Sequence, residues 1–246
     1  TRVRSSAASD VYKRQAHTPA ATPSNPTVST LEHMGLRRPH TVGSRLVNSF
    51  FADALHAAEH VAGDHWMEML AGAGLEAFNF DSPPEDGELG TPIEYLGRLA
   101  EGLERIYGTQ SQDKLRQWGH LVQELDLEQD RNAAAERRSL RLIPGQQRRL
   151  AAVLKGLARR LDTVRGGPLH SWKQLDAEQF WFVIYGNALV AGRRKGEKAC
   201  AFWTAGLEAR LRWAGLANDW TVSELECGAT NGTTDCVFAI RSAKAH

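Results

Sequence analysis

The stretch Trp220-Thr221-Val222-Ser223-Glu224-Leu225-Glu226-Cys227, followed after Asn231-Gly232 by Cys236-Val237-Phe238-Ala239-Ile240, decides the fold class. Both arms are short and rich in β-branched and aromatic residues, as strands are. Asn-Gly is the favoured dipeptide of a two-residue hairpin turn, so the arms are expected to pair antiparallel. Upstream, Phe180-Trp181-Phe182-Val183-Ile184-Tyr185 reads as a strand buried on both faces. Residues 197–214 read as a helix, with Cys200, Trp203, Leu207 and Leu211 on one side and Gly215 at its end.

Between residues 30 and 178 the chain reads helical, apart from a loop over residues 72–90 that holds Gly72, Gly74, Pro83, Pro84, Gly87 and Gly90. Leu46, Val47, Phe50, Phe51, Ala54, Leu55, Ala58 and Val61 recur at helical spacing after Ser44, a candidate cap. Thr91-Pro92-Ile93-Glu94 has the form of a capping box, with Leu96, Leu99, Ala100 and Leu103 behind it. Leu115, Trp118, Leu121, Val122 and Leu125 predict another helix, and Leu150, Val153, Leu154, Leu157, Leu161 and Val164 a further one. Residues 126–138 read as a solvated face or a mobile connection. Helices first and an antiparallel hairpin last predict an α+β fold: N-terminal helices packed on a small antiparallel sheet with a C-terminal hairpin.

Composition narrows the function classes. The chain has 246 residues, 42% of them apolar, and a formal charge of +1. No apolar run approaches a membrane span, and so balanced a charge gives no broad footprint for nucleic acid. Residues 1–29, rich in Ser, Thr, Ala and Pro, are expected to be a disordered tail. Within them Asp10-Val11-Tyr12-Lys13-Arg14-Gln15 looks like a translated library adapter, so residues 1–15 need not be native. Residues 30–246 are expected to form a single domain. With no apolar leader and only three cysteines, the expected compartment is the reducing cytoplasm.

Cys200, Cys227 and Cys236 all lie late in the chain. A turn at Asn231-Gly232 sets Cys227 opposite Cys236, with Cβ atoms roughly 4.5–5.5 Å apart. Two such thiolates can share a zinc ion, with Cys200 as a third ligand and a carboxylate from Glu224 or Glu226 as a fourth. The alternatives are buried thiols or a Cys227–Cys236 disulfide. Ideal strand alternation turns Glu224 away from Cys227, so Glu224 needs a bulge to reach the same point.

The order Cys200-Ala201-Phe202-Trp203-Thr204-Ala205-Gly206-Leu207, Glu224-Leu225-Glu226-Cys227, Gly232 and Cys236-Val237-Phe238 resembles the 4-vinyl reductase-type, or hydrocarbon-binding, domain. The match is most specific over residues 178–240. The resemblance implies a dimer, an apolar cavity between helices and sheet, and a structural zinc ion on Cys200, Glu224, Cys227 and Cys236. The expected function is a small-molecule-binding or sensory module for an apolar or aromatic ligand. The alternative is an enzyme or accessory factor of tetrapyrrole vinyl-group metabolism, although no nucleotide site for a hydride donor is visible.

Trp118, Phe180, Phe182, Tyr185, Phe202 and Trp203 are the candidate ligand-lining aromatics, with His120 as a polar group beside them. His56-Ala57-Ala58-Glu59-His60 matches the order of an inverted zinc-peptidase motif, but its polar groups lie opposite the apolar stripe and are expected to face water. The basic groups Arg148-Arg149 and Arg193-Arg194-Lys195 read as solvated faces, so no direct nucleic-acid partner is expected.

Overall fold

The computed structural model of the chain describes Leu36, Pro39, residues 43–191, Arg193, residues 195–196 and residues 198–244. The expected tail over residues 1–29 lies outside the described residues. Strand β1 (Arg45–Val47) runs into α1 (Asn48–Ala62), and α2 (Trp66–Ala73) follows. After a loop, β2 (Leu89–Pro92) pairs antiparallel with β1. Helices α3 (Glu94–Tyr107) and α4 (Ser111–Gln129) complete a helical body. Helices α5 (Ala133–Leu142) and α6 (Gln146–Arg165) form a hairpin about Pro144-Gly145. Then come β3 (His170–Gln174), β4 (Gln179–Ile184), α7 (Ala201–Trp213), β5 (Trp220–Glu226) and β6 (Cys236–Ser242).

The last four strands form one antiparallel sheet in the order β3-β4-β6-β5. The fold is therefore α+β, helices on a small antiparallel sheet. Its core lies where the predicted helical stripes meet the inner face of that sheet. Leu150, Val153, Leu154, Leu157, Leu161 and Val164 of α6 are all buried, each worth ~1.5–3 kcal/mol of apolar transfer. Alternation in β4 sends Phe180, Phe182 and Ile184 into this core. Val183 and Tyr185 join a small cluster with Val237 and Leu36 on the other face.

Helix α7 lies against both α4 and β5. Its approach to α4 needs glycine: a Cβ on Gly119 would stand 2.0 Å from the Phe202 carbonyl oxygen. This places Trp118 and Phe202 edge to face at 4.5 Å.

Four local expectations are corrected. Thr91 and Pro92 do not open α3, because pairing with β1 draws them into β2. The Thr91 hydroxyl donates to Asn48 Oδ1 at 3.0 Å, and no side chain caps α3. The C-terminal connection is longer than a two-residue turn. Residues Gly228–Asn231 make a single helical turn, closed by Gly232 at φ 74°. Residues 133–142 form a helix, so of the two readings of 126–138 the mobile connection gives way and the solvated face stands: Ala133 and Leu140 are buried, while Ala134, Ala135, Arg137 and Arg138 are exposed. Strand β3, which pairs with β4, is absent from the sequence reading because His170-Ser171-Trp172-Lys173-Gln174 has little apolar alternation.

Candidate functional site

Two neighbouring features combine buried polar chemistry with the core. The first is a thiol cluster where the N-terminus of α7 meets the open end of the β5–β6 pair. Along most of β5 the partners run Thr221 to Arg241 and Glu224 to Phe238, but Glu226 faces Val237. A bulge at Leu225 absorbs the extra residue. Glu224 and Cys227 are three apart and would point to opposite faces of an ideal strand; the bulge brings both to the inner face. Cys200 Sγ lies 3.3 Å from Cys236 Sγ and 3.8 Å from Cys227 Sγ. The three sulfurs and a Glu224 carboxylate oxygen all lie within 4.8 Å of one another. All three cysteines are free and buried.

Nitrogen donors surround the sulfurs. Asn187 Nδ2 donates to Cys200 Sγ at 3.2 Å and to Cys236 Sγ at 3.1 Å. The Ala199 amide donates to Cys227 Sγ and the Gly228 amide to Cys236 Sγ, both at 3.4 Å. The Cys200 amide donates to Glu224 Oε2 at 3.2 Å, leaving Oε1 buried without a partner. Burial pushes the Cys200 thiol well above its usual range. Burial, and then the neighbouring Cys227, push the Glu224 carboxyl up to about 8. Asn187 is the polar centre of this cluster, and the sequence reading passed over it. A buried Asn three residues beyond the end of β4 carries no spacing signal; only tertiary packing brings the sulfurs to it.

The second feature is the seam where α6 and α7 meet β1, α1 and α3. A cavity of about 10 Å³ remains there, lined by Leu46, Phe50, Leu96, Leu161, Val164, Ala188 and Trp203, with Arg165 and His170. His170 is buried, and its Nδ1 lies 2.8 Å from Asp162 Oδ1. The same carboxylate oxygen accepts the amides of Leu169 and His170. Burial pushes the imidazole pKa down against the pull of Asp162, favouring a neutral ring that donates from Nδ1. Arg165 is also buried. It donates to the Gly186 carbonyl at 2.8 Å and the Gly43 carbonyl at 2.9 Å, while its Nε has no partner. No carboxylate pairs with it among the described residues, and burial brings its pKa down to about 10.

The structure does not gather the candidate aromatics at either feature; of them, Trp203 alone lines the seam. Its indole N–H donates to Asn187 Oδ1 at 2.8 Å, which joins seam to cluster. Phe202 packs on Trp203 and Trp118, and Phe182 stacks on His170 at 6.3 Å. Phe180 turns toward Trp220, 5.4 Å away. Tyr185 lies on the opposite face of the sheet. His120 sits at the surface with Glu124 and Arg212. His56 and Glu59 are exposed on α1, as the stripe predicts.

No family model matches the chain, and no curated protein does. Solved structures match in fold, and those compared are H-NOX domains. A point mutant of the T. tengcongensis H-NOX domain has a TM-score of 0.53 at 13% identity, covering 81% of this chain and 98% of that one. An H-NOX structure concerned with heme distortion has a TM-score of 0.52 at 13% identity, covering 81% and 96%. A Cs H-NOX variant carrying 4-cyano-L-phenylalanine has a TM-score of 0.51 at 12% identity, covering 81% and 97%.

These matches correct two expectations. The resemblance to the 4-vinyl reductase-type domain is not upheld, since the fold neighbours are H-NOX domains and no family model answers to it. The zinc assignment on Cys200, Glu224, Cys227 and Cys236 falls as well. The fold neighbours are described in terms of heme, and a knot of thiols already hydrogen-bonded to amides is weak evidence for zinc. Nor does the seam fit heme: its cavity of about 10 Å³ is the room of one water, against the ~300–1,000 Å³ of small-molecule pockets. What the chain has, at this level of identity, is the fold of the H-NOX domains.

Proposed function

We propose that the chain is a small-molecule-binding sensory module whose ligand, apolar or aromatic and smaller than heme, enters the seam beside Trp203. The observation that carries this reading is the make-up of the seam: apolar walls with two buried polar groups, Arg165 and His170, in a fold shared with H-NOX domains. Ligand sites have this composition, mostly apolar with a few placed polar groups. Heme and activation are named for the H-NOX neighbours, which makes a sensory role the natural one to test.

Because the seam is closed, a ligand must part α6 and α7 from the helical body. Trp203 would report that opening, and through Asn187 it reaches the thiol cluster. Cys200, Glu224, Cys227 and Cys236 serve in this reading as the fixed anchor that pins the start of α7 to the sheet while the seam opens. The test is titration of the full chain with phenol, toluene and benzoate, followed by tryptophan fluorescence and melting temperature. Saturable quenching with a raised melting temperature, both lost in Ala188→Phe, is expected. Absence of saturable binding by all three probes overturns the reading.

A further inference from the structure

The formal charge of +1 hides a strong segregation. From Arg131 to Arg160 stand nine basic residues and one acid, Glu136, so the rest of the chain is net negative. The structure gathers this charge on the α5–α6 hairpin. Arg137, Arg138 and Arg141 on α5, with Arg148, Lys155 and Arg159 on α6, are exposed. None of these six has an ion-pair partner among the described residues. The one acid is turned inward, with both carboxylate oxygens 3.0 Å from Arg210 Nη2. It therefore does little to offset the outer face.

Apolar surface accompanies the charge. Leu142, at the end of α5, is 84% exposed and leads into the half-buried Ile143 and the Pro144-Gly145 apex. A groove of about 390 Å³ runs beside α5. Leu127, Ala133 and Trp213 give it apolar walls, and Arg137, Arg138 and Arg141 line it together with Glu128. An exposed leucine on the same hairpin as unpaired arginines costs free energy in water and is matched by a partner that offers both anions and hydrocarbon.

We propose that the α5–α6 hairpin docks on an anionic lipid bilayer, with Leu142 entering the interface and the arginines meeting lipid phosphates. A nucleic acid would satisfy the guanidinium groups but offers nothing to Leu142 or to the walls of the groove. A bilayer supplies both. Arginine suits the boundary, since its fork matches phosphate and its stem can lie along apolar surface. Attachment is peripheral, because no described helix is long and apolar enough to cross a membrane. The proposal is independent of what the seam binds.

The test is co-sedimentation of the full chain with sucrose-loaded vesicles of phosphatidylcholine alone, or containing about one third phosphatidylglycerol. Binding to the anionic vesicles alone is expected, with most of it lost at roughly 0.5 M salt, where screening is short-ranged. Combined Arg137→Glu, Arg138→Glu and Arg141→Glu should abolish binding. Leu142→Asp should weaken it about five-fold or more by removing the inserted side chain and adding a like charge to the lipid. Unchanged melting temperatures in both variants show that the fold is intact. Failure to bind anionic vesicles, or equal binding to neutral ones, overturns the proposal. Binding of a short DNA duplex at matched salt that survives Leu142→Asp, together with vesicle binding indifferent to that change, shows a general polyanion site and also overturns it.

Discussion

At the scale of the residue, Asn187 does the most with one side chain. Its amide nitrogen serves two sulfurs, and its oxygen accepts the Leu189 amide at 3.0 Å as well as the Trp203 indole. Asn187→Leu would fill similar space but orphan those buried donors, and each buried group left unsatisfied costs ~1–3 kcal/mol. A loss of about 2–4 kcal/mol in urea unfolding is expected. His170 gives a second prediction, in pH. Its pKa is depressed in the folded chain, so the unfolded chain takes up a proton first as pH falls below the ordinary histidine value near 6.5. Stability from the buried neutral ring is therefore complete above that value and is lost as pH falls through the folded pKa. Melting temperature should drop with acid more steeply in the native chain than in His170→Gln, which cannot charge. Equal slopes would remove His170 from the acid response.

At the scale of the element, the same sequence shows what was legible and what was not. The stripes of α3 and α6 were readable, since burial of one helical face repeats at a fixed period and every predicted α6 position is buried. The strands β4, β5 and β6 were readable from composition. The bulge at Leu225 was not, because a bulge is fixed by what both flanking residues must meet across the sheet. The capping-box reading at Thr91 failed for a related reason: a partner strand more than forty residues away claimed the backbone that a local rule gives to the helix. The meeting of α4 and α7 was equally invisible, since a glycine inside a helix is only a weak local signal. It is nevertheless testable. Gly119→Ala forces a methyl group against the Phe202 carbonyl and should destabilise the chain by about 1–3 kcal/mol, the usual cost of overpacking. The thiol cluster predicts its own chemistry. With all three sulfurs buried and reduced, a thiol reagent should find three groups in denaturant and almost none in the native chain. A single reactive thiol in denaturant would instead mean a disulfide.

At the scale of the molecule, the dimer expected from the 4-vinyl reductase resemblance loses its ground with that resemblance, while the α+β body does not depend on it. What ties that body together across long chain separations is partly Arg165. From the end of α6 it reaches the carbonyl of Gly43 ahead of β1 and that of Gly186 beyond β4, joining three remote segments with one guanidinium. Two opposed effects act on it. Burial without a carboxylate partner destabilises the charged form, and because the folded pKa of about 10 lies below the ordinary value, that cost is present in full at neutral pH. Against it stand two hydrogen bonds from a charged donor, each worth ~1.5–3 kcal/mol, and two carbonyls that would lose their donors. The second effect should win, because the carbonyls have no other donor among the described residues, while Arg165 retains some access to water. Arg165→Met, which keeps the packing volume, should therefore lower stability by about 1–3 kcal/mol. Arg165→Lys should fare no better, since one ammonium cannot span both carbonyls in the geometry of the fork. Urea unfolding of the two variants decides it. A chain stabilised by methionine would mean that the buried charge outweighs the crosslink, and that the seam tolerates Arg165 for a reason other than stability.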